Sequence, residues 1–336
     1  MKERSKKREE KEEGEESTYI PYEKMANSTS EWGEIPNLKK TKFVVLEKVH
    51  GANMAFIYRE GKVLCAKRRQ ILKENEKFFG YQKIREKLEP KIEKLGKSVI
   101  KDFNSKRKGE SGEEEVEVIV FGELFGGKYK TEKEGQVYGE GLEEGGVEGV
   151  QVVQEEILYS PQLNFIAFDV CVEFKEKKVG REKKKEKGSK IEKKEGEENN
   201  ICNEDKEKEE KRREYLSYKK AMEHLKESEI LFCVPLALTS IEKAVNWNLQ
   251  FETTIPKQLG LHSIGKENIA EGIVVKPFEK DLVYSNKKGK EERVILKIKN
   301  QKFEEKVKEF GTKSKKGQSK KERVLQQMTL YFNKNR

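Results

Sequence analysis

The stretch FVVLEKVHGANM, residues 43–54, is the part of the sequence that decides the fold and points to its chemistry. Four apolar residues at 43–46 predict a short buried strand, and Lys48 follows its end, where a side chain would project into a cleft. A lysine acts as a nucleophile only as the neutral amine, so its pKa must fall several units from about 10.4 through burial or neighbouring cations. The stretch therefore predicts a reactive lysine at a strand end.

Cations that could lie beside such a lysine occur late in the chain, at Lys276, Lys297 and Lys299. Lys297 and Lys299 are two residues apart in a predicted strand, so their side chains share one face. Like charges on one strand face are unfavourable unless water or an anion lies against them. The polyphosphate of a nucleotide would be such an anion.

Two carboxylates and one aromatic residue stand at the ends of further predicted strands. Glu123 follows the strand at 118–121 and Glu271 precedes the one at 272–277, where they could hold a ribose hydroxyl and a divalent metal ion. Phe168 is placed to stack on a base. The simpler alternatives are that both carboxylates are ordinary strand-end residues and that Phe168 is part of the core.

The composition divides the chain into ordered and charged blocks. Lys and Arg number 72 and Asp and Glu 62, a net charge of +10 that suits a polyanionic partner. We predict a charged disordered tail at 1–17, a domain at 18–303, and a short basic helical tail at 304–336 in place of a full C-terminal domain. Lys/Glu-rich insertions are expected at about 105–115 and 175–213.

Within the domain, short strands outnumber helices. Strands are predicted at 54–58, 63–66, 116–121, 165–172, 231–235 and 294–298, besides those at 43–46 and 272–277, with helices at 78–95, 215–226 and 241–245 and a glycine-rich loop at 126–149. This pattern indicates an α+β fold of antiparallel sheets flanked by helices.

The cysteines and the hydropathy give information on the cellular location of the protein but do not indicate a catalytic or metal site. None of the four cysteines forms a CxxC pair, which argues against a zinc site or a disulfide framework. The expected location is intracellular, in cytoplasm or nucleus, with the mitochondrion left open, and the lack of an apolar run of about 18 residues predicts no membrane partner.

Taken together in chain order, these motifs resemble the RNA ligase 2 family of the covalent nucleotidyltransferase superfamily, which includes phage RNA ligase 2 and the trypanosome RNA-editing ligases. His50 and Asn53 stand where DNA ligases and capping enzymes usually carry Asp and Arg. The other matching segments are Cys65-Ala66-Lys67-Arg68, Phe78-Phe79-Gly80-Tyr81, Phe121-Gly122-Glu123, Tyr159-Ser160-Pro161, Phe168-Asp169, Glu271-Gly272 and Leu296-Lys297-Ile298-Lys299. The resemblance runs from about residue 19 to 303.

The resemblance implies an ATP-grasp-like adenylylation domain that uses ATP with Mg²⁺ or Mn²⁺ and seals a 3′-hydroxyl to a 5′-phosphate of RNA in repair or editing. Lys48 would form lysyl-AMP, with His50, Asn53 and Arg68 serving the later steps and Arg68 also touching phosphates. The remaining implied roles are adenine contact for Glu47 and Phe168, ribose contact for Glu123, metal binding for Glu271, and phosphate contact for Lys276, Lys297 and Lys299.

One departure from the family pattern and two alternatives accompany this interpretation. Only residues 300–336 follow the last lysine motif, so sealing would depend on an accessory nucleic-acid-binding protein, whereas self-adenylylation would not. A DNA ligase or capping enzyme would share most of the motifs. A non-catalytic RNA-binding or scaffolding protein could keep the fold, although no motif lysine or carboxylate is missing.

Overall fold

A computed structural model of the chain describes residues 19–107, 116–130, 137–138, 152–176, 210–262, 267–286 and 289–303. The helices are α1 (Tyr81–Lys106), α2 (Tyr218–Glu227), α3 (Ile241–Val245) and α4 (Ile255–Gln258). The strands are β1 (Phe43–Glu47), β2 (Ala52–Arg59), β3 (Lys62–Lys67), β4 (Gln70–Ile71), β5 (Val116–Lys130), β6 (Val137–Tyr138), β7 (Ser160–Glu176), β8 (Glu210–Tyr215), β9 (Pro235–Thr239), β10 (Gly272–Pro277), β11 (Val283–Ser285), β12 (Glu291–Arg293) and β13 (Leu296–Lys299).

A four-stranded antiparallel sheet in the order β13-β10-β1-β9 carries the strand that precedes Lys48. All five residues of β1 are buried, because both of its faces are covered. Phe43 and Val45 pack with α3 on one side, while Val44 and Leu46 pack against the second sheet on the other. A strand covered on both faces reads as a continuous apolar run, which is the pattern at 43–46.

The larger sheet has seven strands among the described residues, with the path β4-β3-β2-β5-β7-β8 and β6 paired to β5. Its neighbouring strands are antiparallel throughout. One face packs against α1, whose buried residues recur every three or four positions, as an amphipathic helix requires. The opposite face is covered by residues 19–25 and by Tyr215. The two sheets and their flanking helices confirm the predicted α+β fold.

Gly96 lets α1 lie unusually close to the larger sheet. A β-carbon at this position would stand 2.2 Å from Cδ1 and 2.9 Å from Cβ of Tyr58, which lies on β2. The Tyr58 side chain is itself buried, and its Cβ belongs to the strand, so neither group has room to withdraw. This glycine therefore sets the distance between helix and sheet.

Several predicted boundaries were wrong. The helix expected at 78–95 begins at Tyr81 and continues to Lys106, so the insertion placed at 105–115 starts inside α1. Residues 126–130, predicted as loop, extend β5. The strand predicted at 231–235 lies instead at Pro235–Thr239, and Phe232 makes only a single bridge to Ala167.

The charged tract at 175–213 was also wrong at both of its ends. Residues 175–176 finish β7 and residues 210–213 belong to β8, which pairs with β7. The physical reason is alternation: Lys211 and Arg213 point inward to the buried carboxylates Glu117 and Glu173, while Arg212 is exposed. Several predicted segments lie outside the described residues. These are the N-terminal tail with residue 18, the remainder of the two charged insertions at 108–115 and 177–209, and the C-terminal tail at 304–336.

We expect Gly96→Ala to destabilise the protein by about 1–3 kcal/mol, because overpacking against Tyr58 outweighs the better helix propensity of alanine. Urea unfolding measures the free energy of unfolding. Lys97→Ala is the control, because Lys97 is the next residue of α1 and its side chain is exposed. It should change the free energy of unfolding by a few tenths of a kcal/mol, about the size of a difference in helix propensity. Equal stability of Gly96→Ala and wild type would contradict the close-packing argument.

Candidate nucleotide site

A pocket of about 590 Å³, open to solvent, lies between the two sheets. One wall comes from the end of β1 and from β10, and the other from β2, β5 and the Phe168 region of β7. Of the residues predicted for the site, the pocket brings together Glu47, Lys48, Asn53, Glu123, Phe168 and Lys276.

Lys48 is fixed by the pairing of β1 with β10. Its backbone N–H donates to the Gly272 carbonyl at 2.9 Å, which continues the ladder one residue beyond β1. Its Nζ donates to Oε2 of Glu271 at 2.6 Å, and Nζ of Lys299 lies 3.1 Å from the other Glu271 oxygen. Glu271 is buried between these two ammonium groups. Burial alone would raise its pKa, but hydrogen bonding from His50 and the charge of Lys48 lower the pKa to about 2.

His50 lies on the solvent side of this ion-pair cluster. Its Nδ1 is 3.5 Å from Glu271 and its Nε2 is 3.4 Å from Glu156, an exposed residue of the segment before β7. The hydrogen bond with Glu271 raises the pKa of His50, and burial opposes this shift. The ring edge of Phe303 packs against the imidazole, with ring centroids 5.5 Å apart. His50 is thus held toward the Lys48 side of the pocket.

Glu47 reaches the pocket from the last position of β1 and is oriented by two threonines. The Thr253 hydroxyl donates to Oε1, while the backbone N–H and the hydroxyl of Thr254 each donate to Oε2 at 2.7 Å. Burial raises the pKa of Glu47, and these three hydrogen bonds counter the shift. The carboxylate has a fixed direction and keeps one lone-pair position for a ligand donor.

Asn53 and Glu123 are direct partners across β2 and β5. The Asn53 Oδ1 atom is buried without a hydrogen-bond partner, and such an atom is costly unless a ligand donates to it. Burial raises the pKa of Glu123 to about 7, against the lowering effect of Lys48. Gly51 lets the segment before β2 lie directly against the backbone of β5, because a β-carbon at this position would stand 2.2 Å from the Leu124 carbonyl oxygen.

Phe168 owes its position to a β-bulge. In the register of β5 with β7, Phe121 pairs with Asp169 and Gly122 with Ala167, so Phe168 is the extra residue between them. A bulge redirects the side chain of the extra residue and is common beside binding sites. Nζ of Lys276 donates to the Phe168 carbonyl at 2.8 Å and so supports the bulge. The sequence gives no sign of this irregularity, although it places an aromatic residue there.

A buried ionic cluster behind Phe168 was not predicted. Asp169 accepts hydrogen bonds from Arg293 and Tyr22, each at 2.9 Å, and Lys276 lies 3.1 Å from its other oxygen without hydrogen-bond alignment. Burial would raise the pKa of Asp169, but Arg293 and Lys276 lower it. Arg293 also forms a two-armed contact with Asp281. An acidic residue in an apolar strand was the available signal, since such a carboxylate needs partners.

The remaining predicted residues lie at the edges of the site. Lys297 pairs with Val274, a pocket residue, and Lys299 with Gly272, so both lysines share the pocket face of β13 as predicted. Arg68 is exposed in the turn between β3 and β4 and is not among the residues that line the pocket. The phosphate and metal roles of these side chains stay predictions.

The donor set suits a divalent ion that is shared with a nucleotide rather than one held by protein alone. Within the described ranges, no group of three or more His, Cys, Asp and Glu side chains could enclose a metal. Glu271 and Glu123 nevertheless lie near the same lysine, because Glu271 pairs with Lys48 at 2.6 Å and the charge of Lys48 lowers the pKa of Glu123 against the effect of burial. Mg²⁺ is commonly bound by one or two carboxylates together with substrate phosphates and water, and Glu271 fits that mode as a single carboxylate.

The pocket thus brings together a lysine, oriented carboxylates and a bulged aromatic residue, which is the combination that the sequence predicts for a nucleotide site. The chain belongs to the RNA ligase family, because the family model described as RNA ligase matches residues 41–299, well over half of the chain. The match contains every residue proposed for the site.

Curated relatives share part of this region. The mitochondrial RNA-editing ligase 2 of Trypanosoma brucei brucei is 35% identical over 136 residues, which cover 38% of this chain and 30% of that protein. The mitochondrial RNA-editing ligase 1 of the same organism is 29% identical over 170 residues, covering 46% and 33% respectively. The chain therefore spans about a third of the length of these relatives.

Solved structures show a more distant similarity. A mutant of the Naegleria gruberi RNA ligase solved with ATP and manganese has a TM-score of 0.41 at 12% identity, covering 84% of this chain and 57% of that one. Separately, none of the helices in the described part of the chain is both long and apolar enough to cross a membrane.

Glu123 should make the stability of the nucleotide-free protein depend on pH. A pKa raised from 4.5 to about 7 means that the folded state holds a proton that the unfolded state releases, so the contribution of Glu123 is present below pH 4.5 and is lost as the pH rises through 7. Glu123→Gln should therefore gain melting temperature relative to wild type on going from pH 5 to pH 8.

Thermal unfolding over this pH range tests the prediction, with Glu86→Gln on the exposed face of α1 as the control that should follow the wild-type curve. Parallel curves for Glu123→Gln and wild type would show that the carboxyl does not hold a proton in the folded state.

Proposed function

We propose that this protein is an ATP-dependent RNA ligase that acts through a lysyl-AMP intermediate on Lys48. The observation that carries the proposal is the position of the Lys48 amine at the end of a buried strand, inside a pocket that also holds charged side chains and the unpartnered oxygen of Asn53. In the first step the Lys48 ammonium, which donates to Glu271 before ATP binds, releases a proton to water, and the neutral Nζ attacks the α-phosphorus of ATP; a second proton passes from the nitrogen to water as the phosphoramidate forms. A nitrogen–phosphorus bond forms as the bond to the β-phosphate oxygen breaks, and pyrophosphate leaves with that electron pair.

The base and the sugar are bound away from the lysine. Phe168, pushed out of its strand by the bulge, offers a ring face to adenine, and Glu47 has a fixed carboxylate for the exocyclic amine. The buried Asn53 oxygen and the Glu123 carboxyl lie side by side for the ribose hydroxyls. A nucleotide held at both ends fixes the α-phosphorus near the amine, which is the main advantage of a positioned reaction.

The phosphates meet the cations of β10 and β13. Lys299 and Lys297 lie on the pocket face, while Lys276 holds the bulge with its ammonium at the pocket wall. Positive groups that face the position of growing charge stabilise the transition state without reorganisation. A divalent ion, Mg²⁺ or Mn²⁺, would be held by Glu271 with the phosphates and would supply further neutralising charge. Lys48 would leave its ion pair with Glu271 when the divalent ion and the phosphates bind.

In the later steps the AMP moves to a 5′-phosphate of RNA, and a 3′-hydroxyl then displaces it to form the phosphodiester bond. His50, next to Lys48, and Asn53 orient these transfers, and Arg68 on its exposed turn contacts the RNA end. The substrates we propose are nicked duplexes or broken ends in RNA repair or editing. An accessory nucleic-acid-binding protein would extend the grip on RNA beyond this domain.

The first step predicts a covalent label. With α-labelled ATP and Mg²⁺, wild-type protein should carry label that survives a denaturing gel, and Lys48→Ala should carry less than about one hundredth as much, because the nucleophile itself is removed. Lys42→Ala, an exposed lysine just before β1, is the matched control and should label as wild type. Labelling with GTP but not ATP would point to a capping enzyme instead.

Absence of label on wild-type protein first freed of any bound AMP by pyrophosphate would remove the enzyme proposal and leave a binding protein with the ligase fold. Pretreatment matters because a lysine that already carries AMP cannot react again.

The RNA specificity has its own test. We expect sealing of a nick with RNA at its 3′-hydroxyl end to be at least about tenfold faster than sealing of an all-DNA nick, and the apparent affinity for either to fall steeply with salt because phosphate contacts dominate binding. Single-turnover ligation of matched nicks at two salt concentrations measures both. Equal rates on the two nicks would favour a DNA ligase.

A further inference from the structure

Residues 19–25, here called the strap, cross the face of the larger sheet that is opposite α1, without forming a helix or strand of their own. Tyr19 and Tyr22 pack on an apolar patch of that face together with Phe168 and Tyr215. Tyr22 and Met25 then continue into the pocket and line it. The strap therefore forms part of the pocket wall, so its position determines the shape of the site.

Tyr22 is the strap residue that meets the functional side chains. Its ring packs edge-on against Phe168, with centroids 5.1 Å apart, and its hydroxyl donates to Asp169 at 2.9 Å. A shift of the strap would change both contacts at once. An extended segment without a hydrogen-bonded ladder has little means of fixing itself, because each ordered residue costs backbone entropy.

Arg213 on β8 supplies the missing hydrogen bonds. Its guanidinium donates to the strap carbonyls of Ile20 at 2.6 Å and Pro21 at 3.1 Å, and one amino group lies 3.4 Å from the Glu23 carboxylate. Glu23 also accepts a hydrogen bond from Tyr215, the residue two places along β8. One side chain thus joins three successive parts of the strap to the sheet.

The Arg213 guanidinium is itself held from the sheet side. Its Nε donates to Glu173 at 2.7 Å, and Glu173 is the direct partner of Arg213 in the pairing of β7 with β8. Both side chains are buried, at 7% and 3% exposure, so the ion pair is shielded from water and salt. The plane of a guanidinium allows it to bind a carboxylate on one edge and carbonyls on the other, which an ammonium cannot do.

We propose that Arg213 is a positioning residue for nucleotide binding: it clamps the strap and thereby holds Tyr22 and Met25 in the pocket wall. The proposal rests on the proposed function, since it takes ATP as the ligand of this pocket. Arg213 does not touch the nucleotide. Its loss should weaken ATP binding without altering the attack by Lys48.

Arg213→Lys is the informative variant. Lysine keeps a positive charge beside the buried Glu173, so the sheet should stay folded, but it lacks the fork that reaches Ile20 and Pro21. Arg212→Lys, the same substitution on the exposed face of the same strand, is the matched control. We expect the KM for ATP in protein labelling to rise about tenfold in Arg213→Lys, because the charge-assisted hydrogen bonds to the strap are lost. The maximal rate of labelling should stay within about twofold of wild type.

A second readout is independent of activity. Lys24 is an exposed strap residue, and mass spectrometry can follow tryptic cleavage after it in protein without ATP. Arg213→Lys should be cleaved there about tenfold faster than wild type and Arg212→Lys, because a strap that has lost its hydrogen bonds detaches more often and then fits the active site of the protease.

Faster cleavage together with a higher KM supports the clamp. An unchanged KM, or a lower maximal rate at unchanged KM, overturns it, whatever the cleavage result. Equal cleavage of Arg213→Lys and wild type also overturns it. If wild-type protein never labels with ATP, the proposed function fails, and cleavage still reports whether Arg213 holds the strap, so the two failures are distinguishable.

Discussion

The antiparallel pairing of β1 with β10 is the constraint on which the site depends. It brings Lys48 and Glu271, 223 positions apart in the chain, to a separation of 2.6 Å. The Lys48 N–H bond to Gly272 extends the ladder into the site, and the Asn300 N–H bond to the Glu271 carbonyl fixes the far side. A one-residue slip of this register would turn Lys48 away from the pocket, so the buried apolar faces of β1 also determine where the amine points.

The charges of the site are arranged so that each neutralises another. Lys48 and Lys299 would repel each other across the pocket, and the buried Glu271 lies between them. A buried charge without a partner is costly, and the removal of one member leaves that cost uncompensated. The cluster of Asp169, Arg293 and Lys276 follows the same rule behind Phe168. Both clusters link strands that are distant in the chain, so the same ion pairs neutralise buried charge and hold the pocket walls together.

The sequence allowed the local parts of this arrangement to be predicted. Short apolar runs at 43–46 and 272–277 marked β1 and β10 within a residue, and the residue types at their ends made Lys48 and Glu271 candidates, whereas Glu47 was proposed only through the family resemblance. Helix α3 at 241–245 was predicted at its observed bounds. Each of these signals depends on neighbours in the chain, which is why periodicity and strand ends were sufficient.

The parts that depend on distant partners were not predicted. The bulge at Phe168 arises from the register between two long strands, and nothing within β7 marks it. Arg213 stands in a run of charged residues that composition assigns to a solvated tract, and only its pairing with Glu173 explains its burial. Tyr22 gave no signal because an extended segment has no period to detect.

The same pairing explains why the nucleotide site needs both sheets. The small sheet holds the lysines and Glu271, whereas the large sheet holds Asn53, Glu123 and Phe168. The proposed ligand, a nucleotide with an anionic end and an aromatic end, matches this division: its polyphosphate would meet the charged sheet edge and its base would meet the bulge. In the proposed function, a phosphate beside Lys299 and a divalent ion on Glu271 would replace the ion pairs that Glu271 makes with Lys48 and Lys299, so the buried carboxylate would keep a partner after the Lys48 amine is freed.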